Sequence, residues 1–279
     1  MQKTARRIEP VFNKLVGLTS ESLPNRLVII TGDKGGVGKS TFARGLLHTY
    51  LSNEEFPIVF EADKSNPNIE RFYGNSGLTI EKTDVTDANK LDKFVDKLEA
   101  HITSVINEDV INDSGEITSQ SSKILIDLPA QSNQFLFKFI EDMDLFSTLE
   151  NRLKMRTTIA VVISRVQDCV TQLESLYKVA GSSVDYLIVK NAFYGGEEDF
   201  RRYNDSAIRR RMFAEGNCIC EIIMPELIEH AFDFIDENNL TFSDAMKAGK
   251  LSVEGRTIGW TKNLYEAMER AFPLLGFKN

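Results

Sequence analysis

Cysteine is scarce: Cys169, Cys218 and Cys220 are the three in 279 residues, and no CxxC pair occurs. That count excludes a disulfide-built scaffold, and the spacing excludes the usual zinc or iron–sulfur ligand pairs. The chain reads as a reduced, intracellular protein. Histidine is equally sparse. His48, His101 and His230 stand far apart, and neither HExxH nor GxSxG is present, so zincins and hydrolase triads have no support. An excess of basic residues is also missing. Lys and Arg number 33 against 41 Asp and Glu, a net charge of −8, which argues against whole-surface attraction to nucleic acid or anionic lipid. Lys3, Arg6 and Arg7 are not followed by an apolar signal core, and no apolar run approaches the ~18 residues of a membrane span. Secretion and membrane spanning are not expected.

What remains is ample for a packed core. Hydrophobic residues make up 42% and charged residues 27%, the balance of a soluble globule rather than a disordered chain. Short β-branched runs fall at 27–31 (LVIIT), 58–60, 123–127 (KILID), 158–164 (TIAVVIS), 184–190 (VDYLIVK) and 218–224. Segments of helical period lie between them, at 42–51, 87–110, 133–149, 168–179, 199–213 and 226–238. Strands alternating with helices predict an α/β fold: a doubly wound, mostly parallel sheet with helices on both faces, in one domain.

Three spans are expected. Residues 1–25 form an N-terminal extension whose apolar positions Ile8, Val11, Phe12, Leu15 and Val16 mark an amphipathic helix. Residues 26–240 form the main domain, and 241–279 a C-terminal helical segment packed on it. There Trp260, Leu264, Met268 and Phe272 recur at steps of four among nearly balanced charges. The acidic stretch 81–116 reads as a solvated helix face, and 112–122 as a surface loop.

The run at 27–31 leads directly into GDKGGVGKST, residues 32–41, and a helical segment follows. Strand, glycine loop and helix in that order are the context a phosphate-binding loop requires. Gly35, Gly36 and Gly38 let the backbone curl around Val37 so that successive amides face a phosphate, and the helix adds its N-terminal dipole. Lys39 is placed to neutralise β/γ oxygens and the Ser40 hydroxyl to ligate Mg²⁺, with Thr41 completing the motif. Asp33 stands where the strict expression wants glycine.

The variant K-G-G-x-G-K-[ST], filled by residues 34–40 and followed by Thr41, resembles the deviant Walker A motif of the ParA/MinD family of dimerising ATPases. The resemblance implies ATP and Mg²⁺ as ligands and an ATP-dependent homodimer in which Lys34 reaches the nucleotide of the partner subunit. Residues 61–68 (EADKSNPN) resemble that family's switch I. Asp63 takes the place of the residue that orients the attacking water, Asn68 follows five residues on, and Glu61 replaces the first Asp. Asp127-Leu128-Pro129 resembles the Walker B and switch II pair, a strand-terminal carboxylate that assists Mg²⁺. Lys190-Asn191 matches the position where the family's Asn meets adenine. The GTPase signature would need Asp at 192, which is alanine, so ATP is expected over GTP. Met224-Pro225-Glu226 resembles the loop over the base, with Pro225 against it.

The resemblance therefore implies an ATPase with Lys34, Lys39, Asp63 and Asp127 in catalysis. It would use nucleotide-driven dimerisation to position, partition or conjugatively transfer DNA, with a protein activator or adaptor. Arg201, Arg202, Arg209, Arg210 and Arg211 against Asp205 give a local charge of +4, expected on one helix. Two readings stand for that stripe, nonspecific DNA binding and an ion-paired solvated helix. A cytoplasmic location is expected, on the nucleoid if DNA is the surface used. The competing functional readings are a regulatory ATP-binding module that does not hydrolyse, and a MinD-like organiser on a membrane surface.

Overall fold

A computed structural model describes residues 25–32, 35–63, 66–84, 88–107, 109–111, 117–119, 122–129, 137, 140–215 and 219–277. The expected N-terminal helix, the 1–25 extension apart from Asn25, Lys34 and Cys218 lie outside the described residues.

Seven strands form an all-parallel sheet: β1 (Asn25–Thr31), β2 (Ile58–Glu61), β3 (Ile80–Lys82), β6 (Lys123–Asp127), β7 (Met155–Ile163), β8 (Asp185–Asn191) and β9 (Ile219–Met224). Their spatial order is β3-β2-β6-β1-β7-β8-β9. A separate antiparallel pair joins β4 (Asp109–Ile111) to β5 (Ile117–Ser119). The helices are α1 (Lys39–Ser52), α2 (Asn68–Tyr73), α3 (Ala88–Asn107), α4 (Leu145–Leu153), α5 (Gln167–Ala180), α6 (Arg201–Asn204), α7 (Ala207–Ala214), α8 (Glu229–Glu237), α9 (Phe242–Ala245), α10 (Leu251–Met268) and α11 (Phe272–Leu275).

The central strand shows why the sheet is covered twice. Side chains alternate across a strand, so Leu27 and Ile29 enter one core and Val28 and Ile30 the other. On the first face Phe94, Leu98 and Ile102 of α3, Phe146 and Leu149 of α4, and Leu173 and Leu176 of α5 close over the sheet. On the second, Phe42, Leu46 and Leu47 of α1 meet Trp260, Leu264 and Met268 of α10. Strands buried on both sides need continuous apolar runs, which is why LVIIT and TIAVVIS carry no polar alternation. At Gly45 a Cβ would lie 2.9 Å from Trp260, so glycine lets α1 approach α10 closely.

Several expected elements need correction. The helix expected over 87–110 stops at Asn107, and the segment expected as a loop over 112–122 contains β5. Strands of three residues are too short for alternation to show. Within the helix expected over 133–149 the described residues 137 and 140–143 are helical, but Asp144 in a left-handed conformation (φ 43°) interrupts it and a separate helix, α4, runs on to Leu153. The single helix expected for the arginine stripe is two, because Ser206 is extended and its hydroxyl accepts from Arg209 N, capping α7 anew.

Candidate functional site

β1 sits between β6, the neighbour on the side of β2 and β3, and β7, on the side of β8 and β9. In open α/β sheets this is the switch point, and ligands bind there beyond the C-terminal strand ends. The loop 35–38 occupies that position. Gly36 (φ +79°) and Gly38 (φ +104°) adopt left-handed backbone that disfavours other residues, and a Cβ at Gly38 would collide with the Asn191 amide. α1 then begins with no side-chain cap and no acidic residue in its first turn. Its N-terminal dipole and amides are suited to an anion.

The polar groups converge on Ser40. Its hydroxyl donates to Asp127 Oδ2 at 3.3 Å and accepts from Asn68 Nδ2 at 3.3 Å. Asp127 ends β6 beside Ile30 of β1, and its other oxygen, Oδ1, is buried without a hydrogen-bond partner among the described residues. Burial pushes the carboxyl up to about 7, against the opposing pull of Lys39 and the Ser40 hydroxyl. Glu61 and Asp63 push it further in the same direction. Such an orphaned oxygen among like charges suits a cation.

No group of three or more His, Cys, Asp or Glu able to hold a metal occurs among the described residues. Mg²⁺ does not need one. It typically takes one or two carboxylates and completes its shell with water and substrate phosphates. Ser40 and Asp127 fit that requirement.

The segment expected as switch I is organised by Glu61, the residue that stands in place of that motif's first Asp. Glu61 is buried at the end of β2 and accepts from Ile69 N at 2.7 Å and Glu70 N at 2.9 Å, capping α2 from outside its own segment. Burial raises its pKa while those two amides lower it. The cap sets the start of α2, hence Asn68 over Ser40. Asp63 lies in the following loop, where its Oδ1 accepts from Asn66 N at 3.1 Å.

Beside the loop opens a cavity of about 460 Å³ lined by Gly38, Thr41, Asn191, Phe193, Pro225 and Phe232. Its size and mixed walls suit a small planar ligand. Pro225 is fixed from behind, since its carbonyl accepts from Trp260 Nε1 at 2.7 Å. Asn191 lines this cavity, but its amide is engaged with the loop: Nδ2 donates to Val37 O at 2.9 Å, and Oδ1 accepts from Phe193 N at 3.0 Å. The neighbouring Tyr194 donates from its hydroxyl to Gly36 O at 2.8 Å. Tyr194 and Phe193 belong to no motif in the sequence. The only pointer to them is their place just after the end of β8.

The arginine stripe divides. Arg209 is half-buried and pairs with Glu221, which also receives Lys190 and the Tyr203 hydroxyl. Arg211 pairs with Glu215. Arg201, Arg202 and Arg210 are exposed and hydrogen-bond to backbone carbonyls.

Comparison with known proteins adds the following. No family model matches the chain. Protein MobD of Acidithiobacillus ferrooxidans is 24% identical over 243 residues, 87% of this chain and 96% of its own length. Among solved structures, the MinD cell division protein of Aquifex aeolicus is similar with a TM-score of 0.46 and 15% identity, covering 86% of this chain and 97% of that one. A Cyanothece McdA variant in complex with ATP gives 0.42 and 12% over 92% and 98%. A nucleotide-binding protein in complex with ADP from Archaeoglobus fulgidus gives 0.43 and 14% over 79% and 88%.

Proposed function

We propose that the protein is a Mg²⁺-dependent ATPase of ParA/MinD type that forms a nucleotide-sandwiched homodimer and uses it to position, partition or conjugatively transfer DNA. The observation that carries the reading is the chain Asn68–Ser40–Asp127 beside the glycine loop, ending in a buried carboxylate oxygen with no partner among the described residues. In this reading the loop amides of residues 35–41 cradle the phosphates, and Lys39, joined by Lys34 of the other subunit, neutralises charge developing on the γ-phosphoryl group. Ser40 and Asp127 would hold Mg²⁺, which when bound neutralises charge on the phosphate oxygens. Asp63 orients the water for in-line attack. The cavity walled by Phe193 and Pro225 takes the adenine.

Lys39→Ala and Asp127→Asn test the site. Phosphate release from ATP with Mg²⁺ should fall by at least about 100-fold in each, the scale of losing a group that stabilises transition-state charge, and ATP affinity should fall in Lys39→Ala. Unchanged turnover in both would remove the reading.

DNA is the surface we favour, because Arg201, Arg202 and Arg210 keep their charge without a carboxylate partner among the described residues. Changing these three to alanine should abolish ATP-dependent, salt-sensitive binding to nonspecific duplex while leaving ATP turnover in place. Binding that needs anionic vesicles and survives the triple change would move the membrane reading ahead.

A further inference from the structure

We infer that Tyr194 and Asn191 are positioning residues that hold the phosphate loop in its binding shape from behind. This deepens the proposed nucleotide site and rests on it.

Three of the four residues 35–38 are glycine, and Gly35 and Gly36 are exposed. Such a segment is mobile by composition, and fixing each residue's backbone costs about 1–2 kcal/mol of entropy. A loop that orders only when ligand arrives subtracts that cost from affinity, whereas one already ordered does not. The described loop has two external ties. The Tyr194 hydroxyl donates to Gly36 O at 2.8 Å, and Asn191 Nδ2 donates to Val37 O at 2.9 Å.

Those carbonyls belong to consecutive peptide planes, 36–37 and 37–38, and no peptide bond described is cis. In a trans peptide the N–H points opposite to the C=O. Drawing both carbonyls outward toward the end of β8 therefore turns the amides of Val37 and Gly38 inward, where a polyphosphate would lie. Asn191 is itself fixed, because its Oδ1 accepts from Phe193 N at 3.0 Å and it ends a strand paired on both sides. Tyr194 packs edge-on against Phe193, with centroids 5.2 Å apart. The absence of a side chain at Gly38 is what admits the Asn191 amide.

Tyr194→Phe is the discriminating variant, because it keeps the ring and removes the one hydroxyl. We would measure thermal melting without ligand, and affinities for ADP, a nonhydrolysable ATP analogue and adenosine, in wild type, Tyr194→Phe and Lys39→Ala. The expected result is an unchanged melting temperature without ligand and phosphorylated nucleotides bound about 2- to 10-fold more weakly, the size of one hydrogen bond. Adenosine, which has no phosphate, should bind as to wild type. Wild-type nucleotide affinity in Tyr194→Phe, with Lys39→Ala impaired, would overturn the positioning role alone. Equal losses for adenosine and ADP would overturn it too, by moving the effect to the base cavity. Wild-type nucleotide affinity in Lys39→Ala would instead overturn the phosphate-loop reading beneath it.

Discussion

Asp127 is a carboxylate that burial raises to about 7. Its sign in a stability profile follows from that direction. Between the unfolded value near ~4 and about 7, the folded chain binds more protons than the unfolded chain. Without metal, stability is therefore lost as pH rises through that window, and the penalty is complete above it. Asp127→Asn has no such titration. Its melting temperature without metal should exceed that of wild type at about pH 8, above the raised value, with the gap narrowing toward about pH 5, as read by scanning calorimetry. Adding Mg²⁺ with nucleotide on the alkaline side should raise the wild type and leave the variant nearly unmoved. A gap independent of pH would show that the orphaned oxygen is satisfied in solution. At this scale the sequence was legible where its pattern is contiguous, as in the glycine loop 35–38 that leads into α1, or ends a strand, as at Asp127. Glu61 and Tyr194 were not. Their partners lie eight and 158 residues away, and nothing local in the sequence encodes either bond.

Helices and strands of ordinary length were readable because periodicity has room to repeat in them, and LVIIT, KILID and VDYLIVK became β1, β6 and β8 within a residue or two. The arginine stripe illustrates what periodicity misses. Charge alone does not say which arginine turns inward, and it is Glu221 on β9 that selects Arg209 and Lys190. Glu221 offsets two cations and has its own pKa lowered, burial opposing the hydrogen bonds and charges that win. Glu221→Ala would leave the buried Lys190 with Glu197 as its one ion-pair partner among the described residues, and should cost about 1.5–3 kcal/mol, the scale of a hydrogen bond to a charged group. Urea denaturation would show this as a shifted midpoint at constant slope. The exposed pair made by Arg211 should be dispensable, with Arg211→Ala leaving the midpoint in place. A loss under about 1 kcal/mol in Glu221→Ala, the scale of an exposed pair, would mean water replaces the network.

For the molecule as a whole the testable quantity is mass. An ATP-sandwiched dimer should appear by light scattering with a nonhydrolysable analogue, be absent with ADP, and be lost in Lys34→Ala. A mass indifferent to nucleotide would favour the regulatory-module reading. The doubly wound parallel sheet was foreseeable from alternation. The antiparallel β4–β5 pair outside it was not, since strands so short have no pattern of their own. The placement of β1 has a consequence in time rather than in space. Asn25 opens the central strand, and its pairing partner on one side, Met155, lies 130 residues later. At synthesis rates of about 5–20 residues per second, roughly 6 to 26 s pass before that neighbour exists. β1 is translated well before the strand it pairs with on that side, so the emerging chain must carry an apolar strand unpaired there for that interval.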